Sequence, residues 1–115
     1  MPYSHRSAFS KFRCGVAPIR LETGRFERLK VEDRVCFHCK NADIEDEFHV
    51  MLKCPLYHDI RVTLFTEALK TEAEFLNFDD CEKLKFLFSN SEITRLCAKT
   101  CFHILKRRSE FLYCK

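Results

Sequence analysis

Apolar side chains recur at helical spacing through the second half of the chain. Ile93, Leu96, Cys97, Cys101, Ile104, Leu105 and Leu112 describe one long face, which predicts a long final helix. Leu84, Leu87 and Phe88 mark a shorter helix before it, and Tyr57, Ile60, Leu64, Phe65 and Ala68 mark another that Pro55 can open. Near the N-terminus, Ala8, Phe9, Phe12 and Cys14 predict a short helix over residues 6–14, with Gly15 as its left-handed stop. Asp79 with Glu82, and Ser89 with Glu92, have the spacing of capping boxes for the last two helices. Lys106, Arg107 and Arg108 fall late in the final helix, where cations complement its dipole.

Between these segments the pattern changes. Residues 17–34, APIRLETGRFERLKVEDR, read as an irregular basic connection with a turn at Gly24. The acidic run at 44–47, IEDE, then precedes Phe48, Val50, Met51 and Leu52, which predicts a short helix whose solvated first turn carries carboxylates. With only two Gly and three Pro, the chain has few positions for tight hairpin turns, so a mainly α fold is expected. A length of 115 residues suits one domain. Its expected parts are a basic N-terminal helix and connection (1–30), a metal-binding element (31–56) and a helical core (57–115).

The chemistry concentrates in that middle element. Cys36, Cys39, His49 and Cys54 form a C-x2-C-x9-H-x4-C set within nineteen residues, a ligand set suited to a closed structural Zn2+ site. Four protein ligands leave no position for substrate or activated water, so the expected role of the ion is to staple the fold. Cys54 lies five residues after His49, about 500° around an ideal α-helix. The helix is therefore expected to end or tighten near Lys53, where Pro55 favours a break. His38 and His58 are weaker competing ligands. Zinc binding of roughly 10–16 kcal/mol in apparent terms would exceed the stability of a small domain. Loss of the ion should thus unfold at least residues 31–56. Cys97 and Cys101, four apart, can chelate a second metal with Cys81, His103 or Cys114, but their place in the apolar stripe favours core packing.

Charge adds a possible partner. The net charge of +3 conceals a basic arm, since residues 1–40 carry nine Lys or Arg against four acids. Arg13, Arg20, Arg25, Arg28, Lys30, Arg34 and Lys40 are the candidate phosphate contacts, and Phe26 or Phe37 can stack on unpaired bases. The alternative is a solvated face with salt bridges to the acidic loop. Tyr57 and His58 lack a nucleophile or an orienting third group, and no phosphate-binding glycine loop or G-x-S-x-G element occurs, so no enzyme and no small-molecule substrate is expected. The eight Cys without a signal-peptide pattern predict a reducing, intracellular setting, nuclear or cytoplasmic rather than secreted. No apolar run reaches membrane-spanning length.

Three stretches, FRCGVAPIRLETGRF, ERLKVEDRVCFHCKNADIEDEFHVMLKCPLY and EKLKFLFSN, together resemble the C-terminal cysteine-rich region of reverse transcriptases from non-LTR, LINE-type retrotransposons. The resemblance covers nearly the whole chain and is most specific from Arg34 to Tyr57. It implies zinc ligation by Cys36, Cys39, His49 and Cys54, with RNA or single-stranded nucleic acid as partner. The chain has no polymerase Y-A-D-D motif, and its nine-residue gap before His49 differs from the four-residue gap of retroviral knuckles, so it should neither polymerise nor cut. The rival expectation is a zinc-stabilised module that docks a protein partner.

Overall fold

The computed structural model describes residues 2–15, 17, 19, 27–30, 33–36, 38–39 and 44–113, with the backbone alone for residues 112 and 113. It is mainly helical. Helix α1 (Tyr3–Arg13), α2 (His58–Thr71), α3 (Asp80–Ser89) and α4 (Thr94–Tyr113) form the body, joined by shorter turns. Among the described residues the strand-like pairing is an isolated antiparallel bridge between Val35 and Ile44.

Helix α4 is the axis. Its twenty residues span about 30 Å, and α1, α2 and α3 all pack against it. Cys97, Ala98, Cys101 and Ile104 face inward and meet Phe9 and Phe12 of α1, Leu64 and Ala68 of α2, and Leu87 of α3 in one continuous apolar core. Thr100 is also buried, but its hydroxyl donates back to the Leu96 carbonyl at 2.9 Å and so is not orphaned. At the far end of α2, Phe65, Phe75, Phe78 and Phe86 pack as tilted and edge-on rings with centroids 5.3–6.2 Å apart.

The ends of the helices follow local chemistry. Gly15 takes φ +72° and its N–H donates to the Phe12 carbonyl, so α1 stops where expected. Asp79 caps α3, its Oδ1 accepting the Glu82 N–H at 2.8 Å. The start of α4 differs from expectation. Ser89 is still helical, and its hydroxyl turns back to the Lys85 carbonyl. The chain first becomes extended at Asn90, whose Oδ1 accepts the Glu92 N–H at 2.9 Å, so Asn90 performs the role expected of Ser89.

Two other expectations are corrected by tertiary contacts. Arg107 and Arg108 do not serve the C-terminal dipole of α4, which runs on to Tyr113. Arg107 donates to the Leu56 carbonyl at 3.2 Å and pairs with Asp59, while Arg108 grips Glu45 with Nε and Nη2 at 2.8–3.2 Å. Glu45 is accordingly no part of a solvated helix start; it is 2% exposed. Its neighbour Asp46 does cap the short helix there.

The Glu45–Arg108 pair generates the first prediction. Arg108→Met should lower the unfolding free energy by about 3–5 kcal/mol, because it leaves a buried carboxylate uncompensated. Glu45→Leu combined with Arg108→Met should recover most of that loss, as read from urea midpoints at constant slope.

Candidate metal centre

Three local devices bring the four sequence-predicted ligands together. The Val35–Ile44 bridge, extended by the Glu45 N–H donating to the Arg34 carbonyl at 2.9 Å, sets Cys36 beside the segment that carries His49. Cys39 follows in a tight turn. Asp46 then opens the short helix, its Oδ1 accepting the His49 N–H at 2.8 Å.

The third device ends the helix at Lys53, as expected, but by widening it rather than tightening it. From His49 to Lys53 the helix widens into a π-turn, closed by the Cys54 N–H donating to the His49 carbonyl at 2.7 Å. An α-helix would leave Cys54 far round the cylinder from His49, whereas i→i+5 bonding closes about one turn over five residues and stacks the two. Cys54 is extended at φ −62° and ψ 122°, the conformation that a following proline requires.

The resulting geometry suits one ion. Cys39 Sγ lies 3.4 Å from His49 Nε2, and Cys54 Sγ lies 3.9 Å from both Cys36 Sγ and Cys39 Sγ. All four ligand atoms fall within 4.8 Å of one another. A tetrahedron built with metal–sulfur bonds near 2.3 Å and metal–nitrogen bonds near 2.0 Å has edges of about 3.5–3.8 Å. The cluster therefore can hold a metal ion, and its sulfurs are about twice too far apart for a disulfide. Cys36, His49 and Cys54 are buried, so the ion would be shielded from water on most sides.

Cys36 Sγ and Cys54 Sγ are close enough, at 3.9 Å, for a thiol–thiolate hydrogen bond. Cys54 hydrogen-bonds to Cys36 and, against the opposing effect of burial, holds the Cys36 thiol down at about 3, helped by His49. The same hydrogen bond, with burial, pushes Cys54 up. Cation binding must displace that proton.

Arg61 is the site residue that periodicity alone did not reveal. It is 4% exposed, and its Nη2 donates to the Val50 carbonyl (3.1 Å), left open by the break in the helix, and to the Cys54 carbonyl (2.7 Å), which also accepts the Tyr57 N–H. Its Nε has no hydrogen-bond partner. Burial lowers its pKa, opposed by Cys54 and Tyr57. A divalent ion on three thiolates and a neutral imidazole carries net −1, and Arg61 puts a positive charge against a ligand residue. The available signal was its register: Tyr57, Arg61, Leu64 and Ala68 lie on one face of the turn and helix, so a cation interrupts an apolar stripe.

The other candidates divide. His38 is exposed, 3.9 Å by Nδ1 from Cys39 Sγ, and leans on the Phe111 ring. His58 is exposed and Tyr57 buried, the Tyr57 hydroxyl pKa being pushed up by burial and by Glu45. Cys97 and Cys101 are fully buried in the core, and burial together with Cys97 pushes the Cys101 thiol well up. Among the described residues they gather no further ligands, Cys81 is exposed, and Cys114 lies outside that set. Of the basic positions, Arg13, Arg28 and Lys30 are exposed; Arg28 has φ +60° in its turn. Arg34 is half-buried, its Nε and Nη2 donating to the Leu29 carbonyl at 3.1 and 2.9 Å. Arg20, Arg25 and Lys40 lie outside the described residues.

Cys54→Ser should abolish stoichiometric metal binding, seen as loss of one ion per chain between native and denaturing mass spectra. Arg61→Met keeps all four ligands but removes the donor to the buried Val50 carbonyl and one of the two donors to the Cys54 carbonyl, which keeps the Tyr57 N–H. It should destabilise the loaded protein by about 1–3 kcal/mol and weaken metal retention against a chromophoric chelator; unchanged retention would limit Arg61 to packing. No known family, curated protein or solved structure matches this chain in comparison.

Proposed function

We propose that this chain is a zinc-stapled helical domain that binds RNA or single-stranded nucleic acid, in the manner of the non-catalytic tail of a LINE-type reverse transcriptase. The observation that carries the reading is the convergence of Cys36, Cys39, His49 and Cys54, a closed soft-ligand set, next to a basic segment. Zinc holds the loop; exposed Arg13, Arg28 and Lys30, together with Arg20, Arg25, Arg34 and Lys40, supply phosphate contacts. Such contacts position a strand without reading its sequence. The proposal assigns no bond-making step. Seven free cysteines among the described residues fit a reducing nuclear or cytoplasmic setting, and no helix among the described residues is long and apolar enough to cross a membrane.

One observation favours the rival reading of a protein-docking module. Phe12, Phe48, Leu84 and Phe88 line a largely apolar cleft of about 490 Å³ between α1, the metal loop and α3. Titration of zinc-loaded protein into an unstructured RNA oligomer separates the two. The expected result is binding whose log K falls with log salt at a slope of about −3 to −5, as four to seven neutralised phosphates would give. Absence of binding at low salt, or affinity indifferent to salt, would overturn the nucleic-acid reading in favour of the cleft.

A further inference from the structure

Helix α4 presents two very different sides. Cys97, Cys101, Ile104 and Arg108 face inward, while Arg95, Lys99, Phe102 and Lys106 recur at four- and three-residue spacing and His103 flanks them. That outer stripe runs about 17 Å from Arg95 to Lys106. Arg95, Lys99 and Lys106 are exposed, and among the described residues none of them pairs with a carboxylate. Lys53, Lys70, Arg107 and Arg108, by contrast, all do.

The stripe also carries flat rings. His5 of α1 lies over Phe102 at 5.0 Å and faces His103 at 6.1 Å, and Phe102 and His103 are 5.3 Å apart. Next to His5 on α1, the Arg6 guanidinium lies 5.9 Å from the centre of the Tyr3 ring. The His103 pKa is held below its usual value by burial and then by its neighbours Lys99, His5, Lys106 and Arg107. Glu110, beside Lys106 and Arg107 in a shallow depression, marks the C-terminal limit of that stripe.

We infer that the α1–α4 seam, centred on Lys99, Phe102, His103 and Lys106 with His5, is a second binding surface for single-stranded nucleic acid. This rests on the nucleic-acid reading and adds to the basic arm a surface that exists only once α1 docks on α4. Cations at helical intervals meet successive phosphates, while half-buried rings offer faces to unpaired bases, a combination that suits a splayed strand better than a duplex.

The experiment is fluorescence anisotropy of a labelled twenty-nucleotide unstructured RNA across a salt series. Zinc-loaded parent, Lys99→Gln/Lys106→Gln, Phe102→Leu and Arg28→Gln/Lys30→Gln proteins would be compared, each checked for an unchanged melting temperature. Neutralising the two exposed lysines should weaken binding roughly ten- to fiftyfold at low salt and flatten the salt slope by about 1.4, near 0.7 for each lost contact. Phe102→Leu should weaken RNA about fivefold, leaving poly-glutamate binding unaffected. If Lys99→Gln/Lys106→Gln matches the parent while Arg28→Gln/Lys30→Gln is impaired, the α4 surface is overturned and the arm stands. No binding by the parent overturns both. Poly-glutamate of equal charge competing as well as RNA overturns the assignment to nucleic acid.

Discussion

His49 and Cys54 must reach one point from a single short helix, and a spacing of five residues does not allow it in α geometry. The π-turn over His49–Lys53 resolves the conflict, and much of the surrounding structure follows from it. Widening the turn and ending it in an extended Cys54 leaves the Val50 carbonyl needing a donor, and Arg61 supplies it while also bonding the Cys54 carbonyl beside the Tyr57 N–H. Because Arg61 belongs to α2, the register of α2 against the metal loop is tied to the same event. An interrupted helix at a ligand is thus a structural requirement here, in line with the tendency of π-bulges to occur at functional positions.

Arginine is the residue that joins this loop to the body. Arg61 holds it from α2, and Arg107 and Arg108 hold it from α4, one through the Leu56 carbonyl and Asp59, the other through buried Glu45. The planar guanidinium matches each acceptor set with directed hydrogen bonds, which a lysine point charge cannot reproduce. Buried pairs of this kind are weak evidence for net stability but strong constraints on arrangement, since any alternative packing strands a charge. Cation binding at the thiols would add a further constraint from the opposite side.

The positive charge of the chain therefore has two uses. Inward-facing arginines meet carbonyls and carboxylates and organise the fold. Among the described residues, Arg13, Arg28 and Lys30 on the arm and Arg95, Lys99 and Lys106 along α4 face solvent, the last two close in sequence to the Phe102 and His103 rings. A net charge of +3 conceals this division, because it sums residues that are neutralised within the molecule with residues that are not.

The helices were legible in the sequence because their signals are local: apolar residues at 3.6-residue spacing, the Asp79 cap, and the left-handed Gly15. The four ligands were legible for the same reason, since few loops hold three thiols and an imidazole within nineteen residues by chance. Contacts between distant segments were not. Glu45 and Arg108 stand 63 positions apart, and nothing near either one distinguishes a buried partner from a solvated helix end. Ser89 and Asn90 are adjacent and equally able to cap, so the exit point of α3 decides between them. The widened turn, the inward course of Arg61 and the seam that brings His5 to Phe102 and His103 likewise depend on which faces meet. Local propensity and ligand chemistry are properties of short stretches; desolvation and the pairing of buried charge are properties of the assembled core, and only the tertiary structure could decide them.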